Sequence, residues 1–516
     1  MGRDARAEAD RPADRGADAT PVVDAPPGPD RRPRRGRRLV RTATGAVALA
    51  LVAGVLLWPH RLASPTRPRD LGALTALGLP AAAVDARPVA AAEGLPGSAA
   101  GRLDEARVAR ALRPVLGGRN AAALGRRVLV AVDGLDGTRV LRGGPASITP
   151  ASTTKLLTSL VALDVLPATT RFRTRTVLSG ADAPTLTLVG GGDPYLASVP
   201  RPGVWPPRAD VTTLARRTAR VLERRGVERV RLAYDASLFS GPAVNPAWPR
   251  SYTGQPGGAD VVSRTSALWV DEGRVAPGLA ARVEDPARAA ADAFARALTA
   301  AGVEVGGVPR AGRAPVDAEE EVAEVAGAPV GQQVQQLLLV SDNEATEVLL
   351  RQIALAAGSP GTTVDGVRAV RAGLQRLGVP APTRLYDGSG LSRRDRLGGD
   401  TLLGVLSVAA RAPADSPLRT LLAGLPVSGL TGSLATRFAE VPADGRGVVR
   451  AKTGTLTGVR ALAGVGADAS GTPFLVALSA DRIPDARSLD ARELLERALG
   501  ALARCRCTAG SRPAPR

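Results

Sequence analysis

The stretch ASITPASTTKLLTSL, residues 146–160, holds Lys155, one of only two lysines in this 516-residue chain. Arginine accounts for all the other side chains among the 68 Lys and Arg residues. The second lysine, Lys452, lies in RAKTGTLTG. Such scarcity is typical of the coding bias of a GC-rich genome, so the two positions that keep lysine need a chemical reason.

The start of this stretch predicts a helix that carries a hydroxyl and an amine on one face. Thr149 can cap the helix, and Pro150 suits its first turn. Ser152 then falls in that turn, near the positive end of the helix dipole. Lys155 follows three residues later, on the same face. The spacing therefore predicts that Ser152 and Lys155 are neighbours.

A serine hydroxyl becomes a good nucleophile only when a base takes its proton. The only histidine, His60, precedes the predicted folded part, which excludes a Ser-His-Asp triad. A neutral lysine amine can act as the base, whereas an arginine guanidinium stays protonated. We expect Lys452 to lie about 5 Å from Lys155 and, by repulsion between ammonium groups, to lower its pKa to about 8. Burial would lower this pKa further.

Three motifs follow one another along the chain: STTK at 152–155, SDN at 341–343 and KTG at 452–454. Together they resemble the motifs of penicillin-binding proteins and serine β-lactamases. The interval of 189 residues between the first two is similar to that of the class C low-molecular-mass penicillin-binding proteins, the D-alanyl-D-alanine carboxypeptidase/endopeptidase family. The same resemblance extends to VGGGDPYL (189–196), YDASLFSGP (234–242), VVSRTSALWVDEG (261–273) and YDGSGLSRRDRL (386–397).

The resemblance implies a role for each residue at a matching position. Ser152 would be the acylated nucleophile, Lys155 its general base, and Ser341 a relay of the proton to the leaving amine. Asn343 would hold the peptide amide of the substrate, and Lys452 would add positive charge near Ser341. The predicted catalytic residues are therefore Ser152, Lys155 and Ser341, and the predicted substrate-binding residues are Asn343, Lys452, Thr453, Gly454 and Thr455.

The segment around KTG would bind the end of the substrate. By the same resemblance, Thr453 and Thr455 would hydrogen-bond the terminal carboxylate of the peptide or of a penicillin. The backbone N–H groups of Ser152 and Thr455 would form an oxyanion hole. The segment thus supplies both anion binding and stabilisation of the reacting carbonyl oxygen.

Other polar positions receive structural interpretations. Asp342 is expected to start a helix and to point away from the substrate. Asp387 and Ser389, in YDGSGLS, are expected to shape a turn near the active site. The run Gly190 to Gly192 is interpreted as a structural turn, because no G-K-[ST] follows it as in a phosphate-binding loop.

The resemblance implies an α/β (α+β) transpeptidase domain like that of penicillin-binding proteins and β-lactamases, with an antiparallel sheet flanked by helices and with inserted, mainly β domains. Independently, RRVLVAVDGLDGTRVL at 126–141 predicts a β-hairpin. The predicted segments are a disordered basic cytoplasmic tail (1–38), a transmembrane anchor (39–58), a Pro/Ala-rich linker with the start of the folded part (59–100), the first segment of the peptidase domain (101–176), the inserted domains (177–313), the second peptidase segment (314–505) and a C-terminal tail (506–516).

The N-terminal region predicts an exported protein. The uncharged run TATGAVALALVAGVLLW at 42–58 spans about 25 Å as a helix, at the short end of a membrane span. The run RRPRRGRR before it places the N-terminus in the cytoplasm and the later domains outside. A cleaved signal peptide is the alternative, but Arg61 stands where a cleavage site prefers a small residue.

The leading interpretation is a serine-type D-alanyl-D-alanine carboxypeptidase, with endopeptidase activity left open, that acts on peptidoglycan stem peptides through an acyl-enzyme on Ser152. β-Lactams would then be covalent inhibitors. The alternatives are a β-lactamase-like hydrolase or esterase using the same motifs, and a non-catalytic wall-binding or sensor protein whose inserted domains carry the function. The balance of carboxypeptidase, endopeptidase and transpeptidase activity stays open.

The composition argues against binding of nucleic acid, metal ions or cofactors. The net charge of +19 includes the basic run near the N-terminus, and no aromatic-interleaved patch or zinc-finger spacing accompanies it, so nucleic-acid binding is not expected. No metal site or cofactor is expected either. Cys505 and Cys507 are too close to close a useful loop and are interpreted as a solvated pair of thiols in the tail.

Overall fold

The computed structural model describes residues 101–180, 183–253, 260–315 and 320–509. All of them belong to the compact unit that begins at Arg87. Within these ranges no helix has the length and apolar character that a bilayer crossing needs. The predicted cytoplasmic tail, membrane anchor and linker, which together span residues 1–100, lie outside the described residues.

Eleven strands lie in the described ranges. In chain order they are β1 (Arg127–Gly134), β2 (Arg139–Gly143), β3 (Arg173–Ser179), β4 (Thr185–Val189), β5 (Arg229–Asp235), β6 (Glu304–Val305), β7 (Arg310–Ala311), β8 (Glu320–Ala326), β9 (Val449–Leu456), β10 (Val459–Ala467) and β11 (Pro473–Asp481). The predicted hairpin at 126–141 is confirmed, because β1 and β2 pair in antiparallel fashion.

The α-helices alternate with these strands and with short 3₁₀ turns. They are α1 (Glu105–Leu116), α2 (Ala121–Leu124), α3 (Lys155–Val165), α4 (Val211–Arg224), α5 (Pro286–Ala300), α6 (Val330–Val340), α7 (Asn343–Ala356), α8 (Thr363–Arg376), α9 (Gly399–Arg411), α10 (Thr420–Ala423) and α11 (Ser488–Arg504).

The main sheet has the antiparallel order β2-β1-β11-β10-β9 and is covered by helices on both faces. The apolar run of β11 alternates between the two faces, as the period of a strand requires. Phe474 and Val476 pack into the core formed with α1 and α11. Leu475 and Ala477 pack into the core formed with α3, α6, α7, α8 and α9. The core that contains Leu475 and Ala477 also contains residues of α3, the helix that directly follows the Ser152 turn.

The inserted segment forms a second sheet with the order β6-β5-β4-β3-β8, with β7 beside β5. Its strands β4, β5 and β6 are parallel, and α4 and α5 connect and cover them. The prediction of mainly β inserted domains is therefore wrong, because parallel strands need crossover connections and their apolar face needs helices to cover it.

The ends of the inserted segment also differ from the predicted 177–313. β3 begins at Arg173 and pairs with β8, which ends at Ala326. These two strands lie side by side, so the chain leaves and re-enters the main domain at neighbouring points. Strand pairing over this distance leaves no mark in the local sequence, which explains the displaced boundaries.

The prediction of a solvated thiol tail is wrong. Cys505 and Cys507 form a disulfide with a Cα–Cα distance of 5.1 Å, and Cys507 is buried. The backbone N–H of Cys507 donates to the Asp468 carboxylate at 2.9 Å, and Thr508 makes a β-bridge with Leu103. The fold therefore continues past the predicted boundary at residue 505, because these backbone contacts hold the segment against the domain.

Candidate active site

Ser152 lies in a short 3₁₀ turn, Ala151–Thr154, and α3 begins directly after it at Lys155. No side chain caps this turn, so the predicted cap is wrong. Thr149 instead donates its backbone N–H to the Asp481 carboxylate at 3.2 Å. The serine and the lysine still lie one turn apart on one face, as the spacing predicts.

The turn that presents Ser152 has an unusual backbone. Ala151 has a φ of 48°, in the left-handed region that a residue with a Cβ rarely adopts. The Thr154 hydroxyl donates to the Ala151 carbonyl at 3.0 Å, and the Thr153 hydroxyl donates to the Pro150 carbonyl at 2.8 Å. Such strain persists only where the surroundings fix the chain, and it is frequent next to reacting groups.

Lys155 is fully buried and has three polar neighbours. Its Nζ lies 2.9 Å from Ser152 Oγ, 2.7 Å from Asn343 Oδ1 and 2.8 Å from the Ser389 carbonyl oxygen. The two carbonyl oxygens can only accept hydrogen bonds. A neutral amine would donate its two N–H groups to them, and its lone pair would then face the hydroxyl of Ser152.

Burial lowers the pKa of Lys155 to about 8. The nearby carboxylates of Asp387 and Glu347 oppose this effect and raise the pKa. The value agrees with the sequence-based expectation, but the leading cause differs, because desolvation of the ammonium group, expected only as a further contribution, takes the place that we assigned to repulsion by Lys452. The amine is therefore substantially neutral at mildly alkaline pH.

Ser341 and Lys452 form a second pair. Ser341 directly follows the last residue of α6 and has a φ of 64°, and Lys452 lies in β9. Lys452 Nζ donates to Ser341 Oγ at 2.7 Å and to the Thr453 carbonyl at 2.9 Å. Burial first, and then the charges of Lys155 and Arg437, hold the pKa of Lys452 well below its ordinary value. Burial therefore works against the positive charge that we expect near Ser341.

The SDN segment joins the two pairs, because Ser341 contacts Lys452 and Asn343 contacts Lys155. Between them Asp342 caps α7, accepting the backbone N–H of Ala345 at 3.0 Å, as predicted for a helix-start residue. Burial and the nearby Glu272 carboxylate raise the pKa of Asp342 to about 8. Ser341 and Asn343, two residues apart in sequence, thus contact Lys452 and Lys155 respectively.

The edge strand β9 forms one wall of the site. A Cβ on Gly454 would lie 2.7 Å from the Pro150 carbonyl oxygen and 3.0 Å from Ala461 Cβ, so glycine lets this strand pack against the serine turn. Thr453 Oγ1 lies 3.1 Å from Ser433 Oγ, while Thr455 is exposed. The predicted binding of a carboxylate and of an oxyanion here stays a prediction.

The YDGSGLS segment, residues 386–392, packs against the side chain of Lys155. Asp387 shapes a turn, as predicted, by accepting the backbone N–H groups of Gly390 and Ser392 at 2.7 Å. Gly390 has a φ of 81° and lies against the Ala151 carbonyl. Sequence reasoning missed the role of Ser389, whose backbone carbonyl contacts the lysine, because a motif does not reveal where a carbonyl points.

Two other predictions concern sites that the motifs do not form. Gly191 packs closely against the backbone of Arg173, which leaves no room for a side chain, while the interpretation of the glycine run as a structural turn stays a prediction. Among the residues that the structure describes, no group of three or more His, Cys, Asp or Glu side chains is arranged to hold a metal ion.

Comparison with known proteins identifies the family. The sequence profile of the D-Ala-D-Ala carboxypeptidase 3 (S13) family matches residues 130–281 and 275–499. The chain belongs to this family. It is therefore a hydrolase of the peptidase class, and the three motifs lie within the matched regions.

Several proteins of similar sequence carry the name carboxypeptidase. A carboxypeptidase of Mycobacterium tuberculosis is 34% identical over 340 residues, which cover 63% of this chain and 69% of the relative. The carboxypeptidase DacB of Mycolicibacterium smegmatis is 33% identical over 344 residues, covering 65% and 72%. A D-alanyl-D-alanine carboxypeptidase of an Actinomadura species is 31% identical over 406 residues, covering 65% and 74%.

Solved structures agree on the fold. Penicillin binding protein 4 of Haemophilus influenzae superposes with a TM-score of 0.60 at 20% identity, covering 77% of this chain and 99% of the other. This likeness confirms the predicted α/β penicillin-binding-protein fold with antiparallel strands and flanking helices.

Proposed function

We propose that this chain is a serine-type D-Ala-D-Ala carboxypeptidase that hydrolyses the terminal peptide bond of peptidoglycan stem peptides through an acyl-enzyme on Ser152. The observation that carries the proposal is the position of Lys155 Nζ, 2.9 Å from Ser152 Oγ and bound to two obligate acceptors. This geometry supplies a base where histidine is absent.

Acylation begins with transfer of the Ser152 hydroxyl proton to the neutral amine of Lys155. The serine oxygen bonds to the carbonyl carbon of the penultimate D-Ala, and the carbonyl oxygen becomes an oxyanion. The backbone N–H groups of Ser152 and Thr455 would stabilise it, a contribution of about 3–4 kcal/mol per donor in other hydrolases. The C–N bond then breaks, and the terminal D-Ala leaves as its amine is protonated.

Ser341 and Lys452 provide the route for that proton. Lys452 Nζ lies 2.7 Å from Ser341 Oγ, so the hydroxyl can pass a proton to the leaving nitrogen and regain one from the lysine. The carboxylate of the substrate favours the ammonium form of Lys452, which burial disfavours in the free protein. Substrate binding would thus favour the protonated form of Lys452, from which Ser341 regains its proton. Lys155 then gives up the proton it took from Ser152, which restores the proton that Lys452 lost, and becomes neutral again. Water hydrolyses the ester with this neutral Lys155 as the base, and the proton taken from water passes to the Ser152 oxygen as the ester C–O bond breaks.

Substrate recognition uses groups that the lysines leave available. Asn343 accepts from Lys155 through Oδ1, and its Nδ2, 3.5 Å from the Val261 carbonyl, can donate to the peptide of the substrate. Thr453 and Thr455 would bind the terminal carboxylate. A β-lactam carries an equivalent carboxylate and a reactive carbonyl, so we propose that penicillins acylate Ser152 as well.

We also propose that the catalytic domain lies outside the cytoplasm and is held to the membrane by residues 39–58. The apolar run after an arginine-rich segment supports an anchor, and the cytoplasmic location of the N-terminus follows from those arginines. The disulfide between Cys505 and Cys507 supports an oxidising compartment, where such bonds persist. Stem peptides of the cell wall are found on that side of the membrane.

Release of D-alanine from a peptide ending in D-Ala-D-Ala tests the proposal. The wild type should release it, and Ser152→Ala should not. Ser470→Ala, in an exposed turn, is the matched control and should behave like the wild type. Equal release by wild type and Ser152→Ala would refute the assignment.

The lifetime of the penicillin adduct separates the proposal from a β-lactamase. A peptidase should hold the adduct for many minutes, because its site is built for peptide turnover, whereas a lactamase should release it within seconds. A digest of purified muropeptides, analysed by mass spectrometry, would show whether cross-links are cleaved as well as terminal D-Ala.

A further inference from the structure

The Ser389 carbonyl that contacts Lys155 belongs to a buried loop held by contacts on several sides. Asp387 Oδ1 accepts the N–H of Gly390, which is part of the same peptide group as that carbonyl. On the neighbouring peptide, the Thr158 hydroxyl of α3 donates to the Gly388 carbonyl at 2.8 Å. The direction of the Ser389 carbonyl is therefore set by the surrounding side chains.

Glu347 provides a further contact to this loop. It lies on α7, one turn after Asn343, and only 2% of it is exposed. Its Oε1 accepts the backbone N–H of Ser389 at 2.8 Å and that of Gly388 at 3.1 Å. Two adjacent N–H groups converge on one oxygen, so the carboxylate fixes the backbone directly before the carbonyl that contacts the lysine.

We propose that Glu347 is a positioning residue for Lys155: by holding the Ser389 peptide, it turns the lone pair of the amine toward Ser152. A neutral amine has two N–H groups for its three neighbours. It keeps its lone pair on the serine only while the carbonyls of Asn343 and Ser389 both occupy those N–H groups. The inference rests on the proposed function, in which Lys155 is the base.

The carboxylate of Glu347 acts on the lysine through its charge as well. Burial lowers the pKa of Lys155, and the nearby carboxylates raise it, with a balance near 8. Burial and the neighbouring Asp387 raise the pKa of Glu347 to about 7, and its carboxylate is one of the charges that raise the pKa of Lys155. The titratable groups that surround the amine are Asp342, Glu344, Glu347, Asp387 and Lys452, with Arg282 paired to Glu344 and Arg351 near Glu347.

Two substitutions separate the hydrogen bonds from the charge. Glu347→Gln keeps a carbonyl oxygen for the two N–H groups but removes the charge, so the amine should lose its proton at lower pH. The acid limb of the kcat/KM profile for D-Ala release should move down by about one pH unit. Glu347→Leu removes the acceptor, and kcat should fall about 100-fold, with KM unchanged because Glu347 contacts no substrate.

Asp468→Asn is the matched control. Asp468 is another buried carboxylate that accepts backbone N–H groups, those of Ser470, Thr472 and Cys507, at the far end of the main sheet. Its substitution should leave the pH profile and kcat as in the wild type. Circular dichroism and melting curves of each variant establish that it is folded.

The proposal is overturned if Glu347→Gln leaves the acid limb in place, or if Glu347→Leu keeps the kcat of the wild type. Should the leucine variant not fold, the glutamine variant decides alone. Absence of D-Ala release by the wild type would refute the proposed function and this inference together. If the wild type releases D-Ala but the Glu347 variants keep its acid limb and its kcat, only the positioning role is refuted.

Discussion

At position 155 the site needs a side chain that can give up its proton while buried. Arginine carries the same charge but stays protonated in proteins, so it cannot act as the base. We predict that Lys155→Arg lowers kcat/KM for D-Ala release by at least about 100-fold, the usual share of general-base catalysis. Steady-state assays of the purified variant, with its melting curve as a folding control, check this. Wild-type turnover by the arginine variant would exclude the lysine as base.

The residues of the site divide into those that sequence reveals and those that it does not. Lysine is so scarce that Lys155 and Lys452 were identifiable from the chain alone, and the motifs led to Ser152 and Ser341. The Ser389 carbonyl and Glu347 were not identifiable, because their role depends on backbone direction and on burial. The leading cause of the lowered pKa of Lys155 was ranked second for the same reason, since the extent of desolvation is a property of the folded core.

At the scale of elements, the close packing of β9 on the serine turn depends on Gly454. We predict that Gly454→Val separates the strand from the turn and lowers kcat/KM about 100-fold, because a misplacement of about 1 Å is enough for that loss. Gly312→Ala is the control, since a Cβ there meets nothing within 4 Å. Kinetics of both variants at equal concentrations check the prediction, and an active Gly454→Val variant contradicts it.

The turn around Asp387 contains a second buried acid, Asp395. Burial and the charge of Asp387 raise the pKa of Asp395 from 3.8 to about 10. A carboxyl whose pKa is raised on folding contributes fully to stability below pH 3.8 and loses that contribution as pH rises toward 10. We predict that the melting temperature of Asp395→Asn equals that of the wild type near pH 4 and is higher than that of the wild type at pH 8. A constant difference across this range would contradict the prediction.

Elements with strong local patterns were predictable, and those that depend on distant pairing were not. The β1–β2 hairpin follows from alternating apolar residues around Asp-Gly turns. The mixed inserted sheet does not, since β3 and β8 are paired although nearly the whole insertion separates them. The start of α3 was also displaced, because the 3₁₀ turn at Ala151 is held by tertiary contacts and lacks a side-chain cap.

At the scale of the whole molecule, the inserted segment supports the active site directly. Trp248 Nε1 donates to the Asp387 carboxylate at 2.7 Å, and Asn245 donates to the Tyr386 carbonyl at 2.8 Å. Arg351 of α7 donates to the Ser240 carbonyl at 2.8 Å. These contacts place the insertion against α7 and against the 386–392 loop, whose Ser389 carbonyl contacts Lys155.

The buried ion pair between Arg282 of the insertion and Glu344 of α7, at 2.6 Å, is the strongest test of that support. We predict that Arg282→Met destabilises the protein by about 3–5 kcal/mol, because it leaves Glu344 buried without its partner. The double variant Arg282→Met/Glu344→Leu should regain most of the loss, since no unpaired charge remains. Urea unfolding of the single and double variants measures the coupling, and additive losses would contradict it.

The central claim is that burial lets the amine of Lys155 lose its proton near pH 8, far below its ordinary range, and the chain allows a direct measurement. Lysine labelled with ¹³C at Cε gives only two signals in this protein, and Lys452→Arg assigns them. A pH titration followed by NMR should give Lys155 a midpoint near 8, with Lys452 also well below its ordinary value. A midpoint for Lys155 at its ordinary 10.5 would contradict the account.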